Sequence, residues 1–196
     1  MPTDQHAFLR SRRSIRRFKR EVVPEVMIDR LLETATYAPS AHNLQPWRFV
    51  VVRDPESRSD LGSALTGKMR QDMRVAGSPE SEIEARVVRS LNRLEQAPLV
   101  IVLCRDTGAV KNQTPAEIMM AVQSTALAGL QLLLAAHAEG LGGAWICWPL
   151  FAPDEAHEAL TLPRTWEPQA MFFLGFPDES PSPRERSPLE SLTLIR

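Results

Sequence analysis

The chain has 196 residues, 43% of them hydrophobic and 24% charged, a composition typical of one globular domain. It excludes a disordered chain, a fibrous repeat and a small disulfide-stapled scaffold. Twenty-three Lys and Arg residues oppose 24 Asp and Glu, so the net charge of -1 predicts neither a nucleic-acid nor a membrane partner. Seven of the basic residues nevertheless lie within residues 10–20, RSRRSIRRFKR, which we call the basic segment. We predict a single domain over residues 1–196.

Hydrophobic spacing and proline positions predict the elements of the first half of the chain. Helices are expected over residues 4–11, from Pro24 to a stop before Pro39, over residues 55–65, and from Pro79 onward. The two β-branched runs WRFVVVR and LVIVLC predict buried strands at residues 47–53 and 99–104.

The second half is expected to contain a long helix at residues 116–139, a strand at 144–147, a short helix at 153–160 and a strand at 170–176. The last 20 residues are rich in proline and predict an extended tail. Four apolar strands interspersed with helices indicate an α+β fold, with one sheet wrapped by helices.

The predicted long helix contains 21 successive uncharged residues, 118–138, enough to span a bilayer. Several polar residues and two acidic flanks argue against spanning, so we expect a helix buried inside the protein or inside a dimer. Spacing alone leaves both the monomer and the dimer open. Cys104 and Cys147 lie in apolar runs and no signal peptide is visible, which predicts a cytoplasmic protein.

Three stretches could carry chemistry, whereas the four histidines and two cysteines show no metal-ligand spacing. The first is the basic segment, whose arginines and Ser14 suit a phosphate group. Spacing alone favours a solvated basic turn, and a nucleic-acid patch is a third interpretation. The other two are the polar loop APSAHNLQPW at residues 38–47 and the glycine-rich GLGGAWICWP at residues 140–149. Each could contact a flat ligand, but the residues alone favour self-capping for the loop, and a glycine helix cap followed by a core strand for the glycine-rich stretch.

Taken in order, RRSIRRF, APSAHNLQPWRFVVV, GLGGAWI and the late Pro-Arg-x-Arg resemble the landmarks of the nitroreductase family of FMN-dependent oxidoreductases. The resemblance covers essentially the whole chain. It implies a nitroreductase-like fold with a mostly antiparallel sheet, and a homodimer with FMN in a groove between subunits. It further implies a small-molecule acceptor, NAD(P)H as a possible donor, and hydride transfer at flavin N5 rather than at a catalytic side chain.

The resemblance also assigns cofactor-binding residues. Arg12 would hold the flavin phosphate and Arg16 would approach the pyrimidine end of the ring. Asn43 would contact the ring. The other positions that match the family's motifs, or pack beside them, are Arg13, Ser14, Pro39, Ser40, Arg184 and Arg186.

One segment departs from the family pattern. Many members have Pro-x-Glu-Gly after the glycine stretch, with its backbone near flavin N5, whereas this chain has Cys147, Trp148, Pro149 and Leu150. A closer similarity, running from residue 135 to residue 179, is to the C-terminal reductase domain of the bifunctional ligase of coenzyme F-420 biosynthesis. That similarity implies dehydro-F-420-0 as the acceptor, with a general nitro- or quinone reductase as the alternative.

Overall fold

A four-stranded sheet organises the protein, which is described here by a computed structural model covering residues 4–196. The strand order is β1-β2-β4-β3 and all three pairings are antiparallel. The strands are β1 (Trp47–Val52), β2 (Leu99–Asp106), β3 (Gly142–Ile146) and β4 (Trp166–Gly175). The α+β prediction with an antiparallel sheet is therefore confirmed.

Both faces of the sheet are buried in apolar cores. Alternate residues of the central strands point to opposite sides and so contribute to different cores. On one side Ile101 and Leu103 of β2 join Phe172 of β4 in a core. On the other side Val102 of β2 and Phe173 of β4 belong to a second core. A β-bulge interrupts the pairing of β2 with β4 at Leu103 and Cys104.

Six helices cover these faces. Helices α2 and α5 pack against each other on one side, and α3 packs against α4 and α6 on the other. The helices are α1 (Gln5–Ser11), α2 (Glu25–Ala35), α3 (Pro55–Val75), α4 (Glu80–Gln96), α5 (Pro115–Ala138) and α6 (Pro153–Ala159).

One prediction about α3 was wrong. The helix was expected to end at residue 65, but it continues unbroken to Val75. Gly62 and Gly67 look like loop residues in the sequence, yet Gly62 lies where an added Cβ would come within 3.0 Å of Leu91. The glycine thus allows α3 to approach α4 closely. The other predicted strands and helices differ from the observed ones by a few residues at their ends.

Helix α5 also approaches the sheet closely. A Cβ at Gly129 would lie 2.4 Å from Trp145 and 2.9 Å from Phe172, so only glycine fits at this contact. Among residues 4–196, α5 is the one helix long and apolar enough to span a membrane by length and composition. Its buried residues instead contact the sheet and α2, which agrees with a core helix, while Leu127 and Leu130 remain more than 40% exposed.

Candidate functional site

The basic segment lies across one end of the sheet. Ile15 N donates to the Gly143 carbonyl at 3.1 Å, and Lys19 N donates to the Phe176 carbonyl at 2.9 Å. Gly142 is required here, because a Cβ would fall 2.6 Å from Ile15. The sheet therefore fixes the backbone of the basic segment at both ends and leaves the Arg16 side chain exposed.

One carboxylate holds the middle of the basic segment. Glu179 Oε1 accepts from the backbone N–H groups of Arg16 at 2.5 Å and Arg17 at 3.1 Å, and Oε2 accepts from Arg17 Nε at 3.3 Å. The Arg16 amide bond is the main reason that the pKa of Glu179 lies below its ordinary value. The sequence contained no signal for Glu179, since its contact arises from the chain returning after β4.

A cavity of about 520 Å³, which we call the α1 cavity, lies beside this segment. Arg12 contributes a half-buried guanidinium without a hydrogen-bond partner within residues 4–196, so its donors are available to a ligand. Arg13 Nη1 donates instead to the carbonyls of Arg10 and Arg12, at 2.6 and 2.8 Å. The structure thus distinguishes two arginines that the sequence had treated alike. Other lining residues include Gly142, Gly143, His137, Leu133 and Pro183.

His137 forms part of the α1 cavity wall. Its ring stacks on Phe8, with 4.8 Å between ring centroids, and its Nε2 lies 2.7 Å from Ser11 Oγ. Burial, followed by the nearby positive charge of Arg12, holds the pKa of His137 below its ordinary value. No group of three or more His, Cys, Asp or Glu residues in the described part of the chain could hold a metal ion.

The polar loop before β1 adopts an unusual backbone. His42, Asn43 and Gln45 have φ between 48° and 53°, a left-handed conformation that costs free energy in non-glycine residues. Ser40 Oγ accepts from Gln45 N at 3.1 Å, and Asn43 Oδ1 accepts from Gln45 Nε2 at 3.0 Å. The hydroxyl of Ser40 therefore caps its own loop, while Asn43 remains exposed and its amide N–H groups are unused in residues 4–196.

This loop and the α1 cavity contact α5 at different positions along the length of the helix. The loop contacts α5 where Ala41 N donates to Ser124 Oγ at 3.2 Å, whereas the cavity is lined by His137. Thirteen residues separate these two positions, or about 20 Å along a helix. One chain therefore does not bring Asn43 together with Arg12.

A second cavity, of about 480 Å³, lies between α3, α4 and the turn that follows β3; we call it the α4 cavity. Cys147 and Trp148 line it as part of that turn, whereas Pro149 is buried elsewhere. The Trp148 indole donates to the Leu65 carbonyl at 3.2 Å, which anchors the turn to α3. The sequence did not identify the four polar residues of α4 that also line it, which are Arg86, Arg89, Ser90 and Arg93.

Strand β3 connects the two cavities. Gly142 and Gly143, at its start, line the α1 cavity, and Ile146, at its end, lines the α4 cavity together with Cys147. At about 3.3 Å per residue the four steps from Gly143 to Cys147 span about 13 Å. A ligand held by Arg12 could therefore extend along this strand.

The predicted basic pair of the tail does not line the α1 cavity. Pro183 lines the α1 cavity, but Arg184 and Arg186 are exposed, and neither side chain is hydrogen-bonded to any part of the described chain. Pro39 is likewise exposed. The assignments of these three residues, like those of all the other cofactor-binding residues, remain predictions.

Comparison with known proteins gives one family. Residues 9–176 match the model of the nitroreductase family. A Bacillus subtilis protein, YfhC, provisionally named an NAD(P)H nitroreductase, is 32% identical over 194 residues, covering 94% of this chain and 92% of the relative. An NADH dehydrogenase of Thermus thermophilus is 34% identical over 196 residues, covering 94% and 92%.

A solved structure supports the same assignment. The FMN-dependent nitroreductase of Clostridium difficile R20291 superposes with a TM-score of 0.72 at 25% identity, covering 98% of each chain. The sequence match spans nearly all of the sheet and both cavities. From these agreements in sequence and fold, the chain belongs to the nitroreductase family.

Proposed function

We propose that this protein is an FMN-dependent oxidoreductase that uses NAD(P)H to reduce a small conjugated acceptor. The observation that carries the proposal is the Arg12 guanidinium, which has no partner among residues 4–196, in a cavity beside the start of β3. The names of the relatives supply the donor and the cofactor: they include an NAD(P)H nitroreductase, an NADH dehydrogenase and an FMN-dependent nitroreductase.

The residues that line the α1 cavity fit the phosphate group of FMN. A guanidinium binds phosphate oxygens through paired donors, and Arg12 has such donors free at the rim of the α1 cavity. Flavin, when bound, supplies the hydride-transfer chemistry. The chain's own contribution is to position it. Glu179 fixes the backbone of Arg16 and Arg17, so that the Arg16 charge is presented beside the site rather than free to move away.

The overall reaction balances without a protein nucleophile. NAD(P)H gives two electrons and one proton as hydride, and one further proton comes from solvent. With a nitro compound the first such step yields a nitroso compound, NAD(P)⁺ and water. The apolar parts of the α4 cavity, including Met69, Trp148 and Phe173, would exclude water from the acceptor.

We further propose that the working unit is a homodimer. Ala41, in the loop that carries Asn43, contacts α5 at Ser124, about 20 Å along the helix from His137 of the α1 cavity, and a second copy would bring its own Asn43 to that cavity. Exposed apolar side chains offer surface for such a contact: Met119, Leu127 and Leu130 of α5, and Leu192, Leu194 and Ile195 of the tail. Sedimentation at several concentrations tests this, and a monomer at the concentration of the assay would refute it.

A narrower acceptor, dehydro-F-420-0, is supported by the sequence resemblance alone, through Phe151–Asp154 and Trp166–Pro168. The names of the compared relatives instead favour a general reductase. Anaerobic mixing of photoreduced protein with dehydro-F-420-0 or with a nitroaromatic compound distinguishes them by which one reoxidises the flavin.

We place the reaction in the cytoplasm, where two free cysteines remain reduced.

Flavin binding is the first test of the proposal. Purified protein should be yellow, and Arg12→Ala should weaken FMN binding by roughly 10- to 100-fold through loss of a charge-assisted contact. The matched control is Arg20→Ala, which removes an exposed charge of the same basic segment that lines neither cavity. Protein that neither contains FMN nor takes it up would refute the proposal.

A further inference from the structure

The basic side chains of α3 and α4 fall into two groups. Four of the seven are bonded within the fold: Arg58 donates to the Ala97 carbonyl, and Lys68, Arg70 and Arg74 pair with Asp72, Glu84 and Glu80. The remaining three have no ion pair or side-chain hydrogen bond to residues 4–196. All three of these, Arg86, Arg89 and Arg93, line the α4 cavity.

These three arginines form one row. Their spacing of three and then four residues places them on one face of α4. The three side chains are exposed. Like charges at such spacing repel each other weakly, and an anion lying against the row would relieve that repulsion. The only carboxylate in the cavity lining is Asp72, and it is already paired with Lys68. Four cations therefore face one anion around this cavity.

The opposite wall is apolar. It consists of side chains from α3, β4 and the turn after β3, namely Leu65, Met69, Met73, Trp148, Phe151 and Phe173. An apolar wall suits a flat conjugated ring, and guanidinium groups match carboxylate, sulfonate or phosphate oxygens in pairs. The cavity thus combines the features that would recognise a planar molecule with an anionic group at one edge.

We propose that the α4 cavity is the subsite for the anionic group of a planar redox substrate, with Arg86 and Arg89 determining specificity. The inference rests on the proposed flavin chemistry for its redox role, because Cys147 and Ile146 join this cavity to the strand that leads from the α1 cavity. Two ligands could supply the anionic group that binds in this subsite: an acidic acceptor, and the nicotinamide nucleotide through its phosphates.

A matched pair of acceptors tests the charge preference. The flavin-loaded protein is assayed with para-nitrobenzoate and with neutral para-nitrobenzyl alcohol, and the ratio of their kcat/KM values is compared between variants. Arg89→Gln should lower the acid-to-neutral ratio about fivefold, and adding Arg86→Gln should lower it further. Arg89→Lys should restore part of it. The control Arg164→Gln removes an exposed charge that lines neither cavity, and should leave the ratio unchanged.

Separate half-reactions identify the source of the anion. If Arg89→Gln slows flavin reduction by NADPH and NADH but leaves the acid-to-neutral ratio intact, the nucleotide phosphates occupy the subsite. If the ratio falls instead, the acceptor does. Effects no larger than those of Arg164→Gln in both half-reactions would overturn the inference.

Failure of the proposed function is distinguishable from failure of this inference. Protein that turns over neither nitro compound would refute the redox proposal. The cavity can then still be tested by titrating para-nitrobenzoate and following tryptophan fluorescence, since Trp148 forms part of the wall. Binding that is the same in wild type and in Arg89→Gln would refute the anionic subsite by itself.

Discussion

Strand β2 and the basic segment are held in place by different forces. Every residue of β2 from Leu99 to Arg105 is buried, and the strand is paired on both sides. The basic segment is fixed by backbone hydrogen bonds to the sheet end and by one ionised carboxylate, Glu179. The difference implies that folding and ligand binding can be perturbed separately.

The largest effect should come from the core around β2. Phe172 is fully buried and its ring meets Trp145 edge-on, with 5.1 Å between centroids. Phe172→Ala should lower the free energy of unfolding by about 3–5 kcal/mol, because it removes apolar contacts and leaves a cavity. Urea unfolding followed by circular dichroism measures this. The exposed Val22→Ala is the control, and a loss below about 1 kcal/mol for Phe172→Ala would contradict the packing described.

The two cysteines compare the buried strand β2 with the exposed turn after β3. Burial, with a smaller contribution from Glu167, raises the pKa of the Cys104 thiol in β2 to about 12, whereas Cys147 is exposed in the α4 cavity. At mildly alkaline pH, Cys104 should react with a thiol reagent at least about a thousandfold more slowly than Cys147, because the thiolate reacts. In guanidinium chloride both should react. Two fast thiols in the native protein would exclude this difference.

Glu179→Gln should weaken flavin binding while leaving the core almost unchanged. The substitution keeps an oxygen acceptor but removes the charge that holds the amides of Arg16 and Arg17. Titration of apoprotein with FMN should show about a fivefold weaker affinity. The exposed Glu185→Gln is a matched control, since it removes one tail charge without an observed hydrogen bond. Equal affinities in the two variants would argue against a positioning role.

The pH dependence of stability should follow from the same contact. The folded pKa of Glu179 is lowered, so its stabilising contribution is complete above the unfolded pKa of about 4.3 and is lost as the pH falls through the folded value. We expect the free energy of unfolding of the wild type, measured with urea, to lose this contribution only below about pH 4, and Glu179→Gln to lack that loss. The same acid loss in both proteins would assign it to another group.

Much of the fold could be predicted because its core strands are apolar runs and its helices have periodic faces. The second half of α3 could not, since it is polar in sequence and is held through pairs such as Arg70 with Glu84 on α4. In the site, motif resemblance assigned Arg12 to the phosphate, but it did not show that Arg13 bonds to the backbone carbonyls of Arg10 and Arg12. Which arginines have partners depends on the folded conformation, which the motif alone does not specify.

The smallest predicted effect concerns His137, where the core helix meets the α1 cavity. Its folded pKa is lowered, mainly by burial, and the positive charges of Arg12 and Arg13 act in the same direction, while a hydrogen bond from its ring to the Phe8 backbone carbonyl opposes them. The unfolded chain therefore binds more protons, so this residue's contribution to stability is present at neutral pH and decreases as the pH falls below about 6.5.

The free energy of unfolding should therefore change less with pH in His137→Gln than in the wild type, between about pH 7 and pH 5. Urea unfolding at each pH measures the slope, with the exposed His6→Gln as the control. Because α1 packs on His137 through Phe8 and Ser11, loss of the slope would mean that protonation weakens the contact between α1 and the core helix. An unchanged slope in His137→Gln would mean that α1 docking is insensitive to this charge, and that the acid sensitivity of the site resides in Glu179 alone.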